Sequence, residues 1–199
     1  MKRFYLSVLF LCSFGSLFAG GPSFAFCDYS QGKVFIQENG EIVWEHKAPD
    51  SNDIWVLPNK NILFTAGKEV LEVSRKNDTI FHYTSESNIF ACQRLKNGNT
   101  FIGECDNGRL LEVSPDGSIV KDVSILPFGV KTGGHAFMRN ARCLDNGHYL
   151  VAHYGGKSVV EYDENGKAVW NIPISGGAHS VIRLPSGNTL VWPEILFGH

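Results

Sequence analysis

Short apolar runs alternate with clusters of Gly, Asn, Asp, Ser and Pro along most of the chain, and no stretch beyond the first twenty residues keeps a helical period. The clearest unit starts at Ile89. The run Ile89–Leu95 leads into Asn97-Gly98, a two-residue hairpin signal. Thr100–Cys105, Arg109–Ser114 and Ser118–Val123 follow, separated by turns at Asp106-Asn107-Gly108 and Pro115-Asp116-Gly117. Each turn has residues suited to positive φ or to an Asx turn, so the unit reads as a meander of four antiparallel strands. Ile54–Leu57, Ile62–Thr65, Val70–Ser74 and Thr79–Tyr83 predict a second meander. Asn140–Leu144, Tyr149–His153, Ser158–Asp163 and Ala168–Ile172 predict a third.

The meanders repeat in sequence as well as in pattern. Leu57-Pro-Asn-Lys-Asn61, Leu95-Lys-Asn-Gly-Asn-Thr100, Leu144-Asp-Asn-Gly-His-Tyr149 and Leu184-Pro-Ser-Gly-Asn-Thr189 have leucines 38, 49 and 40 residues apart. Between them run Glu38-Asn-Gly-Glu-Ile-Val-Trp44, Arg75-Lys-Asn-Asp-Thr-Ile-Phe81, Pro115-Asp-Gly-Ser-Ile-Val-Lys121 and Glu164-Asn-Gly-Lys-Ala-Val-Trp170. A unit of roughly 40 residues made of four strands is a β-propeller blade. The expected fold is an all-β propeller of about four blade equivalents. The period breaks at Leu126–His135, and such insertions sit on one face, often the binding face.

Lys33–Gln37 and Glu41–His46 take third and fourth strand positions, while Ser180–Leu184 and Thr189–Trp192 take first and second. Strand exchange between these ends would close a ring of about four blades. The alternative is an incomplete part of a larger, six-bladed propeller, which the absence of a repeat-like turn in Pro193–His199 favours. An incomplete ring exposes sheet edges and a blade face, which promotes self-association.

Lys2 and Arg3 precede an apolar run from Phe4 to Phe18, the arrangement of a secretory signal. The run is shorter than the about 20 apolar residues of a membrane span, so no span is expected after signal removal. Cleavage fits after Ala19, near residue 20, or at Ser23-Phe24-Ala25, leaving a propeller domain over 26–199. The expected location is secreted or periplasmic. The net charge of −2, without long Lys/Arg runs, argues against nucleic acid as a partner.

The segment Asp163-Glu-Asn-Gly-Lys-Ala-Val-Trp170 resembles the closing half of the repeat in quinoprotein-like propellers, and Leu184-Pro-Ser-Gly-Asn-Thr-Leu190 resembles arylsulfotransferase-like and NHL-like propellers. Phe90-Ala-Cys-Gln-Arg-Leu95 and Gly134-His-Ala-Phe-Met-Arg-Asn-Ala-Arg142 are similar to segments of exported bacterial propeller proteins, which are typically longer than this chain. The first resemblance implies pyrroloquinoline quinone with calcium as an alternative cofactor. The chain has neither the vicinal cysteine pair nor the carboxylate set expected with that group, and no cofactor or metal is expected.

Histidines beside paired glycines are the strongest candidate ligand groups. Gly133-Gly134-His135 and Gly176-Gly177-Ala178-His179 precede first strands, which line the channel of a propeller. Arg139 follows His135, Arg183 follows His179, and Arg94 stands one residue before its leucine as Arg183 does. Histidines and arginines at a channel mouth suit an anion, because the guanidinium fork matches carboxylate or sulfate. Trp55 breaks the aromatic period and is expected near the channel. Glycines before a histidine also mark ordinary turns, and inner-strand arginines also satisfy carbonyls of the next blade. The expected function is a binding module for a small anionic or glycan ligand or a protein partner; the alternative is a relative of a quinoprotein or arylsulfotransferase-type enzyme. Cys92 and Cys105 flank the Asn97-Gly98 turn as diagonal neighbours on one face, and a bulge or longer loop would permit a disulfide.

Overall fold

The computed structural model describes residues 21–127 and 129–193, so the predicted signal segment lies outside the described residues. The described residues form five antiparallel sheets in sequence order. Sheet I contains β1 (Phe24–Asp28), β2 (Lys33–Glu38) and β3 (Glu41–Lys47). Sheet II contains β4 (Ile54–Val56), β5 (Ile62–Ala66), β6 (Glu69–Val73) and β7 (Thr79–Thr84). Sheet III contains β8 (Ile89–Arg94), β9 (Thr100–Glu104), β10 (Arg109–Val113) and β11 (Ile119–Ser124). Sheet IV contains β12 (Asn140–Cys143), β13 (Tyr149–His153), β14 (Ser158–Tyr162) and β15 (Ala168–Pro173). Sheet V contains β16 (Ala178–Arg183) and β17 (Thr189–Pro193). Every strand pairs with the next in its sheet, which is the blade meander of a propeller.

Both faces of the sheets are apolar, and side chains alternate between them. Apolar cores therefore form between successive sheets. Val34, Ile36 and Trp44 of sheet I meet Ile62, Phe64 and Val73 of sheet II. Leu63, Val70 and Phe81 of sheet II meet Ile102, Leu111 and Val113 of sheet III. Phe90, Phe101 and Leu110 of sheet III meet Met138, Ala141 and Val151. Leu150, Ala152 and Val159 of sheet IV meet Ala178 and Val181 of sheet V.

The structure bears on three readings of the sequence. First, Phe24–Asp28 is a strand, paired with β2 from Phe24↔Gln37 to Asp28↔Lys33. It fills the second position of sheet I, and the Ser23-Phe24-Ala25 stretch read as a cleavage site runs into it. Second, β16–β17 packs on sheet IV as a sheet of its own, so among the described residues the ends do not share a blade, in keeping with the favoured reading of an incomplete propeller. Third, the turn at Asn97-Gly98 is a three-residue loop. The Leu95 amide bonds the Asn99 carbonyl, and Gly98 has a φ of 89°, the left-handed position of a G1 bulge. The two-residue turn of this kind is instead Asn39-Gly40, between Glu38 and Glu41, with both φ values positive.

The loop length decides the cysteine geometry. It shifts the register so that Cys92 opposes Ile102, with a further irregularity between Ile89 and Ala91. Cys92 thus shares the face of Ile102 toward sheet II, whereas Cys105 lies in the core toward sheet IV. The proposed disulfide is contradicted: Cys92 and Cys105 are free cysteines, separated by their own sheet. Burial pushes the Cys105 thiol up to about 11 and the Cys92 thiol well above its ordinary value. Mass measurement should show no change on reduction, and iodoacetamide at about pH 8 should label neither thiol until denaturant is added.

Candidate functional site

The long insertion is held against the sheets at both ends. Thr132 donates its hydroxyl, and Gly133 its amide, to the Asp106 carbonyl at 2.8 Å each. The Cys105 thiol reaches the His135 carbonyl at 3.2 Å. Beyond it, Gly155 donates to the Ala136 carbonyl at 2.8 Å, and His153 Nδ1 lies 2.9 Å from the Phe137 carbonyl. His153 Nε2 is 2.8 Å from the Tyr162 hydroxyl, so the buried imidazole is fully engaged.

These anchors bring three of the six predicted residues together. The Arg139 guanidinium sits 4.9 Å from the centre of the Phe90 ring and 5.3 Å from that of Tyr154. His135 meets Phe90 edge to face at 5.4 Å, and His179 meets Tyr154 at 4.9 Å. Both histidines are exposed and Arg139 is half-buried. The paired glycines ahead of His179 have a steric reason: a Cβ at Gly177 would lie 2.3 Å from the Tyr154 ring. Sequence reading missed Phe90 and Tyr154. Their signal was weak, since Tyr154 stands alone in a Gly-rich turn.

Arg139 differs from the other described arginines. Arg94 pairs with Glu72 at 2.5 Å, Arg142 with Asp53 at 2.6 Å and Arg183 with Glu161 at 2.7 Å. Arg109 holds Glu104 and Asp122, and Arg75 holds Glu38. Among the described residues no carboxylate pairs with Arg139, and its Nε, like those of Arg94 and Arg183, is buried without a hydrogen-bond partner. A half-buried cation of this kind is stabilised by the ring faces but leaves donors for an incoming acceptor.

Arg94, Arg183 and Trp55 lie elsewhere and have structural partners. Arg94 also donates to the Gly98 carbonyl at 2.7 Å and stacks over Phe81. Arg183 repeats the arrangement with the Gly187 carbonyl and Trp170. Each arginine reaches from a first strand to a glutamate on the third strand of the preceding sheet, tying neighbours together. Between sheets III and IV the pair is altered: Cys143 stands in the arginine position, and Lys121 replaces the aromatic and lies 5.2 Å from the Tyr149 ring centre. Trp55 donates its indole N–H to the Cys92 carbonyl at 2.7 Å beneath the Arg142 guanidinium. Arg142 reaches past sheet III to make a two-pronged ion pair with Asp53, which also accepts the Cys92 amide. Trp55 is thus part of this lock. Among the described residues no group of three or more His, Cys, Asp or Glu gathers to hold a metal ion.

No protein family and no curated protein matches the sequence. Solved structures do. A Bacteroides caccae protein of unknown function superposes with a TM-score of 0.74 and 23% identity, over 84% of this chain and 63% of that one. A streptogramin B lyase gives 0.66 and 15%, over 85% and 58%. The WD40 β-propeller domain of Doa1 gives 0.64 and 15%, over 80% and 54%. The fold is a β-propeller, and this chain spans less than two thirds of each of these proteins. Identities this low show architecture alone.

Replacing Asp53 with Ala strands the Arg142 cation and should cost about 3 kcal/mol in urea unfolding, whereas Arg139→Ala should cost less than about 1 kcal/mol. Burial lowers the pKa of His153 below its ordinary 6.5. The fold therefore penalises the protonated form, and the stability this residue supports is complete above 6.5 and declines as pH falls below it. Hydrogen-exchange protection factors at Phe137 and Arg139, with the intrinsic pH dependence of exchange divided out, should fall at about pH 5 relative to pH 7.5, and less so in His153→Gln.

Proposed function

We propose that this chain is an exported, non-catalytic binding module whose cluster of Phe90, His135, Arg139, Tyr154 and His179 takes a small anionic ligand. The N-terminal charged and apolar run supports export. The observation that carries the ligand class is Arg139: alone among the described arginines it has no carboxylate, and two ring faces fix its guanidinium. A planar guanidinium held in place presents a ready two-pronged donor to carboxylate or sulfate, with less ordering to do on binding. His135 and His179 flank it with ring nitrogens that can share hydrogen bonds with a ligand. An anionic sugar such as a uronate would satisfy the same groups.

Titration calorimetry with sulfate, phosphate, phenyl sulfate, benzoate and glucuronate tests this reading. At least one should bind, and Arg139→Ala should weaken it by about tenfold or more, with Arg139→Lys intermediate. Gly177→Ala should weaken the same ligand by displacing Tyr154. Binding that survives Arg139→Ala unchanged, or none by any of these anions, rejects the site. Turnover of phenyl sulfate would favour the arylsulfotransferase-like alternative.

A further inference from the structure

We infer that Asn39 is a site of self-modification. The Gly40 backbone nitrogen attacks its side-chain carbonyl carbon, and the β2–β3 turn becomes a mixture of aspartate and isoaspartate. The four other Asn-Gly pairs stay intact in the folded chain. Asn39-Gly40, Asn97-Gly98, Asn107-Gly108, Asn146-Gly147 and Asn165-Gly166 share the dipeptide that favours this chemistry, because glycine leaves the attacking nitrogen unhindered. Sequence neighbours do not separate them: Asp106, Asp145 and Glu164 precede three of the others as Glu38 precedes Asn39. The difference lies in the fold.

In four of the pairs the glycine amide is occupied. Gly98 donates to the Leu95 carbonyl at 3.1 Å, Gly108 to Cys105 at 3.2 Å, Gly147 to Leu144 at 2.9 Å and Gly166 to Asp163 at 3.1 Å. A donated N–H must be released before its nitrogen can lose the proton and attack. The asparagines or their turns are held as well. Asn97 accepts the Asn99 amide at 3.0 Å and donates to Glu112 at 2.8 Å. Asn146 accepts the His148 amide at 3.0 Å, and Asn107 donates to Glu104 at 3.4 Å. The turn at Asn165 is wedged against sheet III, where a Cβ at Gly166 would lie 2.5 Å from the Ser124 carbonyl. The two-residue turn at Asn39 has neither restraint. Its flanking pair is Glu38↔Glu41, which leaves the Gly40 amide outside the ladder. Among the described residues neither that amide nor the Asn39 side chain has a hydrogen-bond partner. The step needs only water as co-reactant. The Gly40 nitrogen–Asn39 Cγ bond forms as the Cγ–Nδ2 bond breaks, and ammonia leaves with the Gly40 proton. Water then opens the cyclic imide at either carbonyl, one route giving aspartate and the other isoaspartate. Both add a carboxylate between Glu38 and Glu41, and isoaspartate lengthens the backbone of a turn that has no slack.

Prolonged incubation of the purified chain in mildly alkaline buffer, followed by peptide mapping with electron-transfer mass spectrometry, reads each Asn-Gly pair separately and tells isoaspartate from aspartate. Asn39 should convert at least about tenfold faster than any of the other four, the factor that one retained hydrogen bond supplies. In denaturant the five rates should converge, because the restraints are then gone. Asn39→Gln should remove the product at the β2–β3 turn and leave the other four rates unchanged. A native rate at Asn39 that falls short of the tenfold margin overturns the inference. So does a preference for Asn39 of the same size in denaturant, which would trace it to local sequence and not to the turn. No anion takes part, so this outcome is independent of the binding titration.

Discussion

A sheet that is apolar on both faces is stable only when another surface covers each side, and this requirement organises the molecule. It explains why the apolar core is divided into slabs between successive sheets, each made of residues contributed by two neighbours. Cohesion is then nearest-neighbour in character, with stability summed over junctions. The Arg94–Glu72 and Arg183–Glu161 pairs reinforce particular junctions, and Arg142–Asp53 exceeds the pattern by joining sheets II and IV. The first strands, which supply these arginines, are fixed from both sides. That rigidity holds Phe90 and Arg139 in place at the cluster.

Much of the fold was legible because it is local. Turn residues at Asn39-Gly40 and Pro115-Asp116-Gly117, with apolar alternation between them, specify hairpins without reference to the rest of the chain. What failed was also local, but finer than pattern. Asn97-Gly98 is compatible with two loop lengths, and the one-residue difference moves Cys92 to the face opposite Cys105. β1 was hidden because Phe24–Cys27 continues the apolar character of the segment before it. Only pairing with β2 distinguishes it from that segment.

The candidate site was partly legible for a different reason. His135, Arg139 and His179 sit beside glycines that break the repeat, and departures from a repeat mark positions released from the common packing role. Arg94, Arg183 and Trp55 have equally suggestive chemistry, but each repeats or extends a junction contact. Their partners, Glu72, Glu161 and Arg142, lie tens of residues away in sequence, so spacing alone could not reveal that their charges and donors were already engaged. Phe90 and Tyr154 gain meaning only from the cation between them.

The exchange of Cys143 and Lys121 for the usual arginine and aromatic also makes the repeats non-interchangeable. Placing sheet III ahead of a sheet bearing Arg94 or Arg183 would set that arginine beside Lys121 in place of a ring. Placing sheet II or IV ahead of Cys143 would leave Glu72 or Glu161 without its cation. A chain of near-identical modules risks pairing them in the wrong order while it folds. The junction of sheets I and II departs in its own way, with Val56 in the arginine position and Ile36 in that of the glutamate, so a shuffled order mismatches side chains at more than one junction.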